Sequence, residues 1–307
     1  REVGKRVRTE VLARVEEHDE IFPIHGLVFG PEDRTRPAFG LFAGVHGIER
    51  VGTEIALTFL ESIVARLRWD RDLRHALRKC RIVAIPMVNP AGIRFRHRCN
   101  HRGVDLMRNA PVQAQDRTPL LVGGHRISPK LPWFRGRGEM EPEAQALTEF
   151  VRRELFPSRA CLSLDLHSGF GVRDRLWYPY AKTAAPPPTL PQILAFVDLL
   201  DRSLPHHVYR VEPQSASYCT HGDLWDHLLD SHLRSAEATG TFMPWTLEIG
   251  SWIWVRKNPS QLFRYDGPFN PIKPHRHGRA MRRHMALLDF CFRAIRNHRR
   301  WLHVTDT

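Results

Sequence analysis

The stretch Leu41-Phe42-Ala43-Gly44-Val45-His46-Gly47-Ile48-Glu49 decides the fold, because it joins an apolar run to a polar turn. The apolar run predicts a buried strand over 38–45, and the amphipathic pattern that follows predicts a helix over 53–67. An H-x-x-E pair at the carboxyl end of a strand can bring an imidazole and a carboxylate onto one metal ion, and Gly47 permits the tight backbone path. This order of strand, turn and helix predicts an α/β domain with a metal site at a strand end.

Apolar runs bounded by turn residues alternate with amphipathic stretches along the rest of the chain. This alternation is typical of a mixed or parallel sheet covered by helices, and we expect one domain over 1–307. The clearest strands are predicted at 38–45, 81–88, 160–166, 176–180, 207–211 and 242–249. Helices are predicted at 53–67, 141–155, 190–204, 223–233 and 279–299. The stretches 109–133 and 184–188 are predicted as loops, and long loops in such folds tend to shape the active site.

Composition excludes several classes of protein. The 307 residues contain no low-complexity tract, and no apolar run approaches the roughly 18 residues of a transmembrane helix, so we expect no membrane partner. The five cysteines form no C-x-x-C pair, which argues against a disulfide framework and favours a reducing, cytoplasmic compartment. Because the chain starts at Arg1 rather than Met, a signal peptide removed upstream stays open.

The chain is strongly basic, with 46 Lys and Arg against 33 Asp and Glu and a formal net charge of +13. Such a charge suits an anionic partner. Much of the excess is arginine, as an arginine-rich proteome would give, and we do not expect nucleic-acid binding.

Two further strand ends carry candidate residues. The apolar strand before His167 is followed by small residues that leave room for a substrate, and His167 offers the third ligand that a catalytic zinc needs. A lone histidine there is more often a hydrogen-bonded core residue, but that interpretation leaves the equivalent H-x-x-E strand end unexplained. Glu248 lies in another apolar run, where a carboxylate is expensive to bury unless it is paired, bound to metal or catalytic. By contrast, His227-x-x-Asp230 lies inside a predicted helix and is interpreted as a chance pair.

Together these residues resemble the zinc metallocarboxypeptidases of the carboxypeptidase A type, in particular prokaryotic members with a single catalytic domain. Several motifs follow the family's own order along the chain, namely H-x-x-E at 46–49, N-P-A-G at 89–92, G-V-D-L-M-R-N at 103–109, P-W-F-R-G at 132–136, E-P-E at 141–143 and Y-C-T-H-G-D at 218–223. The resemblance implies a largely parallel twisted sheet of about eight strands sandwiched between helices, and one zinc ion per chain.

The resemblance also implies a role for each matching residue. His46, Glu49 and His167 would bind zinc, Glu248 would be the general base, Arg98 would stabilise the developing oxyanion, and Arg108, Asn109 and Tyr218 would bind substrate. The implied activity is hydrolysis of the C-terminal amide bond of peptides, cell-wall peptides among them, by metal-activated water. Two alternatives stay open: Arg98 as one more solvated charge of the basic run, and Arg108 as a structural arginine paired with Asp105.

Three positions depart from the family's pattern around the substrate. Met107 stands where the family usually has Asn, so one hydrogen-bond donor to a terminal carboxylate is missing. His221 replaces the usual Ser, and Trp225 occupies the position that often shapes the side-chain pocket. Neither a pocket Asp for basic residues nor a pocket Arg for acidic residues is evident, so the side-chain specificity stays open.

Two other functions stay open. Zinc deacylases that resemble succinylglutamate desuccinylase and aspartoacylase share H-x-x-E, D-L-N-R and a strand-end Glu, and would act on acyl-amino acids, but Tyr218 and the last predicted helix favour the peptidase. A basic anion-binding protein that has lost catalysis is the second, since 272–301 contains nine Lys or Arg against the single acid Asp289. Apolar residues at helical spacing favour a core-packing helix with a basic outer face, and the complete set of ligands argues against lost catalysis.

Overall fold

The central strands are apolar on both faces, so the sheet needs a covering layer on each side. In the computed structural model, which describes residues 7–302, the strand Ala38–Ala43 shows this directly. Phe39 and Leu41 lie in one apolar core, whereas Ala38 and Phe42 lie in a second core on the opposite face. The alternation places the sheet as the middle layer of three.

Eight strands form one mixed sheet. In chain order they are β1 (Val7–Glu17), β2 (Glu20–Phe29), β3 (Ala38–Ala43), β4 (Arg81–Ile85), β5 (Ala160–Ser168), β6 (Arg175–Tyr178), β7 (Arg210–Pro213) and β8 (Thr241–Ile249). Their spatial order is β1-β2-β4-β3-β5-β8-β6-β7. The central strands β4, β3, β5 and β8 are parallel neighbours, whereas β1 with β2, β2 with β4, and β6 with β8 pair antiparallel. The predicted mixed, largely parallel sheet is confirmed.

Helices cover both faces of the sheet. They are α1 (Arg50–Arg66), α2 (Arg71–Ala76), α3 (Pro90–Phe95), α4 (Pro142–Leu155), α5 (Leu190–Ser203), α6 (Leu224–Arg234), α7 (Trp252–Lys257) and α8 (Pro274–Arg296). The helices α1, α2, α5 and α8 contribute to one apolar core, and α4 and α6 to the other. No helix of residues 7–302 is long and apolar enough to cross a membrane.

Most predicted elements are present, with shifted ends. The strand predicted at 207–211 begins only at Arg210, and the helix predicted from 279 begins at Pro274. The antiparallel pair of β1 and β2 was not predicted. The prediction of one domain over 1–307 includes residues 1–6 and 303–307, which lie outside the described residues.

A buried ion pair connects the sheet to α4. Arg81, the first residue of β4, and Glu154 of α4 have fully buried side chains that contact each other. Arg81 also donates a hydrogen bond to the backbone carbonyl of Glu154, with 2.7 Å between Nη1 and the oxygen. Burial alone would raise the pKa of Glu154, but Arg81 holds this pKa below its ordinary value. Among the described residues Arg81 has only this carboxylate partner, whereas Glu154 also pairs with Arg8, Arg34 and Arg153. The Arg81 charge therefore depends on Glu154.

We therefore predict that Glu154→Gln lowers the free energy of unfolding by about 3–5 kcal/mol, because it leaves the Arg81 guanidinium buried and uncompensated. The exposed Glu61 of α1 provides the control, and Glu61→Gln should change the free energy by less than about 0.5 kcal/mol. Urea denaturation of the three proteins measures both effects. Equal effects of the two substitutions would contradict the prediction.

Candidate active site

Three strand ends meet at one edge of the sheet. His46 follows β3, His167 lies near the end of β5, and Glu248 lies near the end of β8. Because β3, β5 and β8 are adjacent and parallel, their carboxyl ends lie together. His167 and Glu248 are register partners across β5 and β8. The topology therefore brings together residues that are far apart in the sequence.

The turn from His46 to Glu49 has a tight backbone path. The Glu49 amide donates to the His46 carbonyl oxygen over 3.1 Å. Gly47 has no room for a side chain, because a Cβ atom there would lie 2.0 Å from the carbonyl carbon of Gly92. The H-x-x-E turn thus packs directly on the N-P-A-G turn. Glu49 immediately precedes α1, whose positive N-terminal end favours a carboxylate.

His46, Glu49 and His167 are buried and offer nitrogen and oxygen atoms that all lie within 4.8 Å of one another. The Nδ1 atom of His46 lies 2.8 Å from Oε1 of Glu49, and the Nδ1 atom of His167 lies 3.1 Å from Oε2 of the same carboxylate. The two Nδ1 atoms are 3.3 Å apart. Two imidazoles and one carboxylate are the ligand types of catalytic zinc sites, so this donor set fits the predicted ion.

Two buried aspartates hold the opposite nitrogens of both histidines. Oδ1 of Asp105 lies 3.0 Å from Nε2 of His46, and Oδ2 of Asp165 lies 2.9 Å from Nε2 of His167. Such contacts orient a ligating histidine and fix which nitrogen faces the metal. Sequence analysis did not assign this role to either aspartate. The D-L-H pattern of β5 contains a signal for Asp165, because residues two apart in a strand share one face.

Glu248 is buried beside this cluster. Its Oε1 atom accepts a hydrogen bond of 2.9 Å from the Phe170 amide. Burial, reinforced by repulsion from Glu49, raises the pKa of Glu248 to about 8. A carboxyl group in this range can both take up and release a proton near neutral pH, which is the property that a general base requires.

Arg98 is an ordered cation at the cluster. Its Nη1 atom donates to Oε1 of Glu49 over 2.8 Å, and its Nε atom donates to Oδ2 of Asp105 over 3.2 Å. These contacts distinguish Arg98 from the solvated arginines of the same basic run. The position agrees with the predicted role beside a developing oxyanion, and that role stays a prediction.

Arg108 is a buried guanidinium group, with only 3% of its surface exposed. Its nearest polar contacts are the Val122 carbonyl oxygen at 3.4 Å and the Tyr218 hydroxyl at 3.5 Å. Within residues 7–302, no carboxylate forms a salt bridge with it, and Asp105 is bonded to His46 and Arg98 instead. A buried guanidinium group without a carboxylate bonded to it favours an anionic ligand.

Tyr218 and Arg108 are held together by the stretch between Tyr218 and Gly222. A Cβ atom at Gly222 would lie 1.8 Å from the Arg108 carbonyl oxygen, so only glycine allows this close packing. The Tyr218 ring packs against Phe170 and Trp177, with centroid distances of 5.6 and 6.2 Å. Tyr218 therefore forms part of the wall beside Arg108.

Asn109 does not line the cavity next to these residues. Its Oδ1 atom accepts from the Glu141 amide over 2.6 Å, and its Nδ2 atom donates to the Arg135 carbonyl oxygen over 3.0 Å. These bonds connect the segment around Arg108 to the start of α4. A direct substrate contact of Asn109 stays a prediction.

The structure changes the expectation for Trp225 and shows what His221 contacts. Trp225 does not shape the side-chain pocket, because its buried indole packs on Phe42 and donates to Asp165 over 2.9 Å, behind His167. His221 fastens the loop at 109–133, since its Nδ1 atom accepts from the Ala114 amide over 3.0 Å.

A cavity of about 670 Å³ opens beside the cluster. His46, Glu49, His167, Glu248, Arg98, Arg108 and Tyr218 all line it. Seven aromatic side chains form much of its wall, namely Trp133, Phe170, Trp177, Tyr218, Trp252, Tyr265 and Phe269. The loop at 109–133 contributes Pro119, Val122, Pro132 and Trp133 as expected, whereas 184–188 contributes none of the lining residues.

Comparison with known proteins agrees with this geometry. The family model described as zinc carboxypeptidase matches residues 14–248. The chain belongs to the zinc carboxypeptidase family. Because this family uses zinc, the predicted cofactor is confirmed, and the cluster of His46, Glu49 and His167 could bind it.

Similar members of the zinc carboxypeptidase family are known from other organisms. Carboxypeptidase M of Mus musculus is 27% identical over 153 residues, which are 47% of this chain and 29% of that protein. Carboxypeptidase SOL1 of Arabidopsis thaliana is 27% identical over 146 residues, which are 48% of this chain and 26% of that protein. The matched part thus spans less than a third of either relative.

Solved structures share the fold. Bovine thrombin-activatable fibrinolysis inhibitor in complex with tick carboxypeptidase inhibitor has a TM-score of 0.67 at 18% identity, over 97% of this chain and 91% of that chain. Carboxypeptidase A from Helicoverpa armigera has a TM-score of 0.66 at 19% identity, over 95% of this chain and 70% of that chain. The predicted zinc carboxypeptidase-like fold is confirmed.

We predict that His167→Ala abolishes tight zinc binding, because it removes one of three converging ligands. Elemental analysis after dialysis should give roughly one zinc per chain for the parent and less than about 0.3 for His167→Ala. His227 of α6 is the matched control, since it belongs to an H-x-x-D pair remote from the cluster. If His167→Ala retained as much zinc as His227→Ala, the ligand assignment would be wrong.

Proposed function

We propose that this protein is a zinc carboxypeptidase that hydrolyses the C-terminal amide bond of peptides. The observation that carries the proposal is the buried Arg108, which has no carboxylate partner among the described residues and lines the same cavity as the three-ligand cluster and Glu248. A guanidinium group matches the geometry of a carboxylate. A free terminal carboxylate would therefore satisfy Arg108 while the adjacent amide bond lies near Glu248.

Each residue of the site has a separate role in the proposed reaction. When bound by His46, Glu49 and His167, zinc supplies Lewis acidity toward water and the scissile carbonyl group. Glu248 takes a proton from the attacking water and delivers it to the leaving amine. Arg98 stabilises the negative charge that develops on the carbonyl oxygen.

The cavity wall supports an apolar or aromatic side chain at the C-terminus of the substrate. All charged lining residues already have a role in the catalytic arrangement, namely His46, Glu49, Arg98, Arg108, His167 and Glu248. The other described lining residues are apolar, aromatic or uncharged polar. No charge is therefore left to select an acidic or basic side chain.

Met107 makes the carboxylate contact weaker than an Asn would. Its side chain is buried and lines the cavity next to Arg108. A thioether cannot donate a hydrogen bond, so Arg108 and the Tyr218 hydroxyl are the nearby donors. We infer that recognition of the terminal carboxylate depends mainly on Arg108.

We predict that Glu248→Gln lowers kcat by at least about 100-fold, because the amide keeps the shape but cannot accept a proton. The zinc content and the circular dichroism spectrum should match those of the parent. Glu237→Gln, which changes an exposed glutamate, should leave kcat unchanged. Near-parental turnover of Glu248→Gln would assign the base elsewhere, with Glu49 and Asp165 as the next residues to test.

We predict that Arg108→Ala lowers kcat/KM for free-acid dipeptides. The loss should correspond to roughly 2–4 kcal/mol of activation free energy, as expected when one partner of a desolvated charge pair is removed. For substrates with an amidated C-terminus the effect should be small. Arg102→Ala, which removes an exposed arginine, is the control. Met107→Asn should improve hydrolysis of free-acid substrates alone, because it adds a donor.

The comparison of blocked dipeptides, their amides and N-acyl amino acids tests the function itself. Preference for free-acid dipeptides supports a carboxypeptidase. Equal cleavage of free-acid and amidated substrates would show that Arg108 is not a carboxylate anchor, and would leave a zinc amidohydrolase. Faster hydrolysis of N-acyl amino acids than of dipeptides would instead indicate a zinc deacylase.

A further inference from the structure

A second cavity of about 340 Å³ lies at the N-terminal end of α8. It shares no lining residue with the catalytic cavity. Its wall combines the segment before β6, the end of β8, the helix α7 and the first turns of α8. Nothing in the proposed reaction uses it.

Four cations of this cavity have no acidic partner. Arg173, Lys257, Arg276 and Arg279 line the cavity, and among residues 7–302 none of them forms a salt bridge. The cavity has a single acidic lining residue, Asp174. Its Oδ2 atom accepts from Arg283 over 2.7 Å, and its Oδ1 atom accepts from the Gly250 amide over 3.0 Å. The four positive charges therefore line a cavity whose one carboxylate is already paired with Arg283.

The start of α8 adds to this positive potential. No acidic residue lies in its first turn, and Arg276 and Arg279 are three residues apart, so they lie on one face. Cations at a helix N-terminus are disfavoured by the helix dipole. A bound anion would offset the unfavourable position of these cations, because the helix dipole and the side chains would both attract it.

A buried histidine provides an independent observation. His284 lines the cavity and is only 1% exposed. Its Nδ1 atom lies 3.1 Å from the Tyr209 hydroxyl, whereas Nε2 has no hydrogen-bond partner within the described part of the chain and lies 3.8 Å from Oδ2 of Asp174. Buried polar atoms without a partner are rare, and one in a cavity wall indicates a ligand atom.

We propose that this cavity binds a small, multiply charged phosphate-bearing anion at a site separate from the catalytic centre. Guanidinium groups bind phosphate oxygens in a bidentate manner, and several arginines with one lysine can compensate more than one negative charge. The concave shape and limited volume favour a small anion over a duplex nucleic acid or a membrane surface.

Calorimetric titration of the zinc-loaded protein with inorganic pyrophosphate at 0.15 M ionic strength tests the proposal. The parent should bind with a dissociation constant below about 1 mM. Lys257→Gln combined with Arg279→Gln should weaken binding at least about tenfold, because it removes two of the converging charges. Both residues are exposed, so the fold should persist, and an unchanged circular dichroism spectrum and zinc content check this.

The control removes the same amount of charge from the segment that follows the C-terminal end of α8. Arg299→Gln combined with Arg300→Gln changes two exposed arginines outside the cavity and should leave the dissociation constant within about twofold of the parent value. Absence of binding to the parent overturns the proposal. Equal affinity of the two double variants also overturns it, because pyrophosphate would then bind at the zinc site or through net charge alone.

Discussion

A single buried carboxylate, Asp105, connects the cluster of His46, Glu49 and His167 to the turn that carries Arg108. Its oxygens accept from His46 and Arg98, and Oδ1 also accepts from the Met107 amide over 3.1 Å, which caps the turn that carries Arg108. Burial alone would raise its pKa, but His46 and Arg98 hold the pKa of Asp105 well below its ordinary value. Because a buried anion needs several donors, His46, Arg98 and the turn that carries Arg108 cannot be positioned independently.

Sequence reasoning finds residues that stand at the end of an apolar run. His46, His167 and Glu248 each do so, and parallel pairing of three strands is enough to bring them together. Arg98 lies in a loop and Arg108 in a 3-10 turn of three residues, where only the resemblance to a family singles them out. Trp225 shows the limit of that reasoning, since matching by position does not reveal that its indole donates to Asp165.

Strands and helix ends without a run of apolar residues are the elements that cannot be predicted from this sequence. The strands β1 and β2 lie at one edge of the sheet and carry many partly exposed polar residues, so they lack the buried run that identifies β3 or β5. The start of α8 is missed for a related reason. Its apolar spacing begins only near Ala280, whereas the basic turns from Pro274 onward line a cavity instead of the core.

The segment at 170–174 forms hydrogen bonds with residues on both sides of the last residue of β8. Phe170 donates its amide to Glu248, and Asp174 accepts the amide of Gly250, so residues 170–174 contact the strand on both sides of Ile249. Glu248 therefore takes its position from the backbone path of this segment as well as from the sheet. Since 172–174 also border the second cavity, the same short stretch separates the catalytic site from the basic one. The two sites are thus adjacent through the backbone although they share no lining side chain.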